Sequence, residues 1–459
     1  MSYEQKNINK WINLAIVCTG VFMSSMNASV INLANPTLAK EFSIEIDQVQ
    51  WIVTVFLLVV SALMLFFGRL GDRIGSHKIY NSGFLFFTLG SLCCGFSSSF
   101  VLLILSRILQ AVGAAMLMAT GMGIVANSFP IEQRGQALGI SVVAVGLGNM
   151  GGPGLGGIIL HYLTWHYIFF INIPVGLLAF VFGLRYLRSP ILTENKLPLD
   201  WLGSLLLALV ISVLILVLSQ SVPGSTWFIL AFIVLLPLFW RYEKSHPAPL
   251  WDFNLLGNKR FSLLNLLSFI SYFAQMSVFF LMPFYLEQIR LLPSSTVGLL
   301  IMVSPMFMAI FSPFSGMVSD KIGSLRMIPV AFIVILTAFL SLSLINAETS
   351  TIQIAISFGL MGSGMGMLNT PVNSEILTSA GSKHSGYASG FVATTRNLAF
   401  CLGTATAAGG FTTLLNYFSQ TREYGVAYMD ALRLIAISAA VLAFVGLGIG
   451  IWLKNLRTS

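Results

Sequence analysis

The sequence predicts an all-α polytopic membrane protein, and three observations predict it. First, 56% of its 459 residues are apolar and only 9% are charged, with a mean hydropathy of +0.87. A soluble domain carries roughly 25% charged residues, so too few polar side chains exist here to clothe a water-soluble protein of this length. Disorder and coiled coil also demand charge that the chain lacks. Second, apolar runs of about 20 residues, the length of one helical crossing, recur from end to end. Third, the cations between those runs are distributed unevenly, as the two sides of a membrane require.

Taken in order, the runs predict fourteen spans: 11–34, 51–68, 79–97, 100–126, 137–160, 165–187, 200–219, 226–241, 261–287, 293–318, 325–345, 351–378, 386–413 and 429–453. The eighth is the shortest and contains Pro237. Their continuity excludes a transmembrane β-barrel, whose strands are short and alternate. The first run is too long for a signal peptide and reads as a retained first helix. With the N-terminus inside, eighteen Lys and Arg fall in cytoplasmic segments, and only Lys40, Arg290 and Arg422 fall in outer loops. The net charge of +8 is therefore a topology signal that calls for no nucleic-acid partner. An even number of spans returns the C-terminus to the cytoplasm.

The chain also repeats itself. Gly68-Arg-Leu-Gly-Asp72-Arg73-Ile-Gly75 follows the second run, and Gly316-Met-Val-Ser-Asp320-Lys321-Ile-Gly323 follows the tenth, at an offset of 248. Gly135-Gln-Ala-Leu-Gly139 opens the fifth run, and Gly386-Tyr-Ala-Ser-Gly390 opens the thirteenth. Spans 1–6 and 9–14 thus read as two copies of a six-helix unit, with spans 7 and 8 inserted as a peripheral pair. The corresponding divisions are 1–190, 191–260 and 261–459. Duplicated halves of this kind are the architecture of transporters whose site lies near the bilayer midplane.

These motifs resemble those of the major facilitator superfamily. Gly68-x-Leu-x-Asp72-Arg73-x-Gly75 is similar to its cytoplasmic loop signature, and Arg107-x-x-Gln110-x-x-Gly113 resembles its membrane-arginine motif. Gly139, Gly148, Gly152-Pro153 and Gly156 match its antiporter motif, and Trp165-His-Tyr-Ile-Phe-Phe-Ile-Asn172-Ile-Pro174-Val-Gly176 is similar to the sixth-span signature of fourteen-span drug:proton antiporters. The resemblance covers nearly the whole chain. It implies a multi-pass protein of the bacterial cytoplasmic membrane that exports small amphipathic compounds by alternating access, driven by protons. It also implies that Asp72 acts as a latch between the halves.

The residues themselves carry the physical reading. Asp72 and Asp320 are expected on tight turns beside Arg73 and Lys321, where a carboxylate suits a facing helix start. The glycines of span 5 allow another helix to approach closely, and Pro153 bends the helix. Arg107 lies roughly 10 Å below the outer face and Arg396 roughly 16 Å from the inner one, and charges at such depth face cavities or partners. Asn27 stands where the related antiporters carry an aspartate, roughly 24 Å into span 1; it can bond Arg107 but cannot titrate. The expected substrate-binding set is Asn27, Arg107, Gln110, Asn149, Tyr272, Gln275, Asn369 and Arg396. The methionines Met302, Met306 and Met308, and Met361, Met365 and Met367, would suit a site of variable shape, or simply fill the core.

Proton antiport needs a titrating group, and Glu375 and Asp430 are the candidates among the deepest acids, which also include Asp200 and Glu287. If neither serves, the two arginines point instead to a proton-independent transporter or flippase of an organic anion or lipid. The cysteines Cys18, Cys93, Cys94 and Cys401 fall in spans without metal-ligand spacing, and the five histidines form no catalytic constellation. No enzyme activity, metal or cofactor is expected. The expected partners are a small-molecule substrate, protons and the bilayer, and two halves in one chain suit a monomer.

Overall fold

Inside lipid every backbone N–H and C=O must be satisfied within the chain, and a continuous apolar run does this only as a helix. The computed structural model describes residues 3–187, 200–219, 225–246, 253–381 and 385–455, and among these residues there is no strand. The helices are α1 (Tyr3–Glu41), α2 (Ile46–Ile74), α3 (Ser76–Gly95), α4 (Phe100–Ser128), α5 (Ile131–Tyr162), α6 (Tyr167–Phe170), α7 (Asn172–Tyr186), α8 (Trp201–Ser219) and α9 (Ser225–Ser245). They continue as α10 (Phe253–Gly257), α11 (Lys259–Phe279), α12 (Met282–Phe284), a π-helical turn (Tyr285–Ile289), α13 (Ser294–Ile322), α14 (Ser324–Ser343), α15 (Thr351–Ala380), α16 (Ser385–Ser419) and α17 (Tyr424–Asn455).

Each of the fourteen apolar runs falls on helix. Twelve stretches of the described residues are long and apolar enough to cross a membrane. The two runs outside that set are those on α3 and α9. Small and polar residues such as Asn81, Thr88 and Ser91 dilute α3, while Arg241, Glu243 and Lys244 close α9.

Two spans are interrupted, and proline accounts for both. The sixth breaks at Ile171 between α6 and α7, ahead of Pro174, which lacks an N–H. The buried Asn172 side chain compensates by donating to the Ile168 carbonyl at 3.4 Å. The ninth breaks after α11, restarts at Met282-Pro283 and ends in the π turn. Elsewhere serine, asparagine and aspartate caps close helix starts: Ser99 accepts from Leu102 N at 3.3 Å, Asn258 from Arg260 N at 3.0 Å and Asp200 from Gly203 N at 2.8 Å.

The structure corrects the reading of the repeated loop. Asp72 and Asp320 are not on the turns: α2 runs on to Ile74 and α13 to Ile322, so both aspartates lie in the last helical turn. The chain reverses at Gly75 (φ +108°) and Gly323 (φ +94°), where the missing Cβ permits a positive φ. The side chains of Asp72 and Asp320 lie outside the described ones.

The chain divides into two compact units. The first holds Met1–Phe42, Trp51–Ser212 and Ile233–Leu250; the second holds Ser43–Gln50, Val213–Phe232 and Trp251–Ser459, so α8 and α9 are apportioned between them. In the first unit α1 packs on α5, α4 and α7, and α3 packs on α4 and α7. In the second, α11 packs on α16, α15 and α17, and α14 packs on α15 and α17, which is the same order one repeat later. A serine of α1 and one of α11 each reach the partner helix: Ser29 Oγ donates to the Gly148 carbonyl of α5 at 3.3 Å, and Ser277 Oγ, 248 positions on, donates to the Gly403 carbonyl of α16 at 3.4 Å.

Candidate functional site

In the first unit Asn27, Gln110 and Arg107 meet in one buried network. Arg107 is 1% exposed, and Asn27 and Gln110 are wholly enclosed. The Arg107 guanidinium donates to Gln110 Oε1 at 2.6 Å and, through Nε, to the Ile52 carbonyl at 3.0 Å. The Phe56 ring lies 4.3 Å from its Cζ, close enough for cation–π attraction. Gln110 Nε2 donates to Ser91 Oγ at 2.7 Å and Asn27 Oδ1 at 3.2 Å, while Asn27 Nδ2 returns to Gln110 Oε1 at 3.4 Å. Asn27 therefore reaches Arg107 through Gln110 rather than directly. The network ties α1, α2, α3 and α4 together, and no carboxylate is among its members.

Asn149, also expected in the substrate set, is half-buried on α5 beside Gly148, and none of the described hydrogen bonds brings it into this network. The span 5 glycines face α1. A Cβ at Gly148 would come 2.6 Å from the Phe22 carbonyl oxygen, one at Gly152 would come 2.8 Å from that of Met26, and one at Gly156 would come 2.4 Å from Val30 Cγ2. These residues, with Pro153 inside the helix, hold α5 against the stretch of α1 that carries Asn27.

The network suggests a direct test of the asparagine. Asn27→Asp replaces an amide by a group that titrates, two hydrogen bonds from the guanidinium. The variant is expected to add an inflection to the pH profile of the transport rate. Profiles of parent and variant that superimpose would contradict this expectation.

The second unit gathers another part of the predicted set. Tyr272 is buried, and its hydroxyl donates to Asn369 Oδ1 at 2.7 Å. The Arg396 guanidinium lies within electrostatic reach of the same hydroxyl. The Phe400 ring stands edge-on to Tyr272, with centroids 5.2 Å apart. Asn369, Arg396 and Gln275 are half-buried, in contrast to the enclosed Arg107. Asn369 Nδ2 is a buried donor with no partner among the described residues, and such a donor calls for water or a ligand. Arg396, Tyr272, Asn369 and Phe400 thus present a charged donor, a hydroxyl, a spare amide N–H and an aromatic edge in one place. Of the methionines, Met361 and Met365 are core, while Met302, Met306, Met308 and Met367 are half-buried.

The two proton-carrier candidates both sit against arginine. Glu375, 7% exposed, is bonded to Arg260. Asp430 is bonded to Arg422 and lies 3.9 Å from Arg433. Asp200 accepts from Gly203 N and, at 3.1 Å, from the Tyr242 hydroxyl, with His246 Nδ1 at 3.7 Å. At the repeated loop, burial, with Lys78 beside it, holds the His77 imidazole below its ordinary range. Arg73 is exposed in the last turn of α2, and a Cβ at the half-buried Gly68 would come 4.0 Å from the Ala119 carbonyl oxygen.

The model for the Major Facilitator Superfamily matches residues 17–404. The chain belongs to the Major Facilitator Superfamily. As a major facilitator it is 40% identical over 441 residues to the riboflavin transporter RibZ of Clostridioides difficile (strain 630), covering 95% of this chain and 96% of that one. It is 27% identical over 408 residues to the multidrug resistance protein Stp of Mycobacterium tuberculosis, covering 87% of this chain and 75% of the relative. A solved bacterial homologue of the human lysosomal transporter Spinster aligns with a TM-score of 0.70 and 13% identity, covering 97% of each chain; that likeness establishes the fold.

Three features of this major facilitator transporter were not readable in its sequence. Ser91 and Ile52 complete the Arg107 network but look like ordinary span residues. Phe400 stands beside Tyr272 only because α16 packs on α11. The π turn around Glu287 is the third; Pro283 signals a break there but not the conformation that follows.

Proposed function

We propose that this protein carries riboflavin, or a solute of the same class, across the bacterial cytoplasmic membrane by alternating access in exchange for protons. Such a solute is a planar heteroaromatic with ring carbonyls and a hydroxylated tail. The observation that carries the reading is the cluster of Arg396, Tyr272 and Asn369 beside Phe400, with Asn369 Nδ2 left without a partner among the described residues. Guanidinium and amide N–H groups match ring carbonyls, and aromatic edges favour a planar ring. The 40% identity to a riboflavin transporter over 95% of the chain supports the same substrate class. Tyr272, Gln275, Asn369 and Arg396 would contact the solute, while Asn27, Arg107 and Gln110 would brace the helices. The chain would cross the membrane fourteen times with both termini cytoplasmic, carry a helix pair inserted between the six-helix halves, and act as a monomer.

A second reading, export of varied amphipathic drugs, draws on the half-buried methionines of α13 and on relatives named as multidrug resistance proteins. Fluorescence titration of riboflavin against the protein in lipid nanodiscs separates the two. Saturable quenching is expected, and Arg396→Ala should weaken it roughly tenfold or more, the worth of a charge-assisted hydrogen bond. Absence of saturable riboflavin binding, together with binding of a lipophilic cation, would favour the second reading.

A further inference from the structure

Glu287 differs from the other carboxylates of the spans. It lies within Lys259–Ile289, a stretch apolar and long enough to cross a membrane. Glu375 and Asp430 are bonded to arginines; Asp200 shares a buried oxygen without a hydrogen-bond partner, but it is held by a backbone N–H and Tyr242 and has His246 Nδ1 at 3.7 Å. The interaction described for Glu287 is with the Ser294 hydroxyl at the start of α13. Its Oε1 atom is buried with no hydrogen-bond partner among the described residues. A carboxylate placed in that way in a span is costly unless it is neutral or has a function.

The backbone around it is unusual in the same place. Tyr285–Ile289 is the one π-helical segment among the described residues, with Arg290 N bonded to the Tyr285 carbonyl at 3.0 Å. Single π turns concentrate at functional sites. Leu291, two residues beyond, holds a left-handed φ of +51°, a strained conformation for a branched side chain. The charged and titratable neighbours have other contacts. On the turn itself, the Arg290 guanidinium is bonded to the Ala347 carbonyl through one terminal nitrogen while its Nε is buried with no partner among the described residues, and the Tyr285 hydroxyl donates to the Asn346 carbonyl at 2.7 Å. From α17, Tyr428 and Tyr424 lie within electrostatic reach of Tyr285 or of each other. Ser294 is the polar group supplied by α13.

We propose that Glu287 is the proton-binding site of the transport cycle. A proton from water binds Oε1, giving a neutral acid that can remain buried. When the π turn and the left-handed Leu291 beyond it rearrange, the O–H bond breaks and the proton returns to water. This deepens the reading of the protein as a proton-exchanging transporter and rests on it.

Infrared difference spectroscopy of the full-length protein in lipid, recorded as pH is stepped, reads the site without any substrate. The parent is expected to show a protonated-carboxyl C=O band that titrates and that is missing in Glu287→Gln. Riboflavin accumulation in proteoliposomes driven by an imposed pH gradient is expected to fall roughly tenfold or more in the same variant, provided it elutes as monodisperse folded protein. A parent without a titrating band, or a band unchanged in Glu287→Gln, overturns the assignment. So does riboflavin transport by the parent that ignores the pH gradient. A parent that moves no riboflavin overturns the substrate reading alone, and the infrared titration then decides the proton site.

Discussion

Arg107→Ala is expected to abolish transport, by dismantling the first unit rather than by emptying a substrate site. The guanidinium is the donor to both Gln110 Oε1 and the Ile52 carbonyl, in a place enclosed enough to leave the arginine 1% exposed. Truncation removes a charged donor from both groups, leaves Gln110 Oε1 with only the 3.4 Å bond from Asn27 Nδ2, and opens a void against Phe56. Each lost charge-assisted bond is worth about 1.5–3 kcal/mol, and the void adds to it, so a loss of about 3–5 kcal/mol is expected. Arg107→Lys would restore the charge but not the forked donor set, and partial recovery is expected. Thermal unfolding in detergent checks this. An Arg107→Ala protein that unfolds at the parent's temperature but no longer binds riboflavin would show that Arg107 contacts solute and that the bracing role is mistaken.

Gly152→Leu is expected to yield almost no folded protein, and even Gly152→Ala should cost about 1–3 kcal/mol, the usual penalty for overpacking. A Cβ there would meet Ser29 Oγ at 1.9 Å, the Met26 carbonyl oxygen at 2.8 Å and Val30 N at 2.9 Å. The serine can rotate away, but the two backbone atoms of α1 cannot. Ser29→Ala should therefore rescue Gly152→Ala only in part. Full rescue would mean that the hydroxyl, and not the α1 backbone, sets the spacing. Because α1 also carries Asn27, any separation of α1 from α5 is transmitted to the Arg107 network.

The helices were legible because lipid leaves the chain a single backbone solution, and unbroken apolar runs mark where it applies. The repeat was legible because glycine is needed at Gly75 and Gly323, where φ is positive. The aspartates beside them were read one turn too far, since sequence shows which residues share a turn motif but not at which one the helix stops. Side-chain partners were the least legible. Glu375 looked available for a proton until α15 met Arg260, 115 residues earlier in the chain. Tyr272 and Asn369 are 97 residues apart, and only packing reveals that they bond. Glu287 is not set apart from the other deep acids in the sequence because its setting depends on a π turn, which leaves no periodic signature in a single sequence.

Riboflavin counterflow in sealed proteoliposomes tests the central claim most directly. Vesicles loaded with unlabelled riboflavin are diluted into a trace of labelled riboflavin, and the internal label is followed in time. Carrier-mediated exchange through the Arg396–Tyr272–Asn369 cluster predicts a transient overshoot above equilibrium for the parent, lost in Arg396→Ala and absent from protein-free vesicles. A parent trace that coincides with the protein-free one would contradict the account.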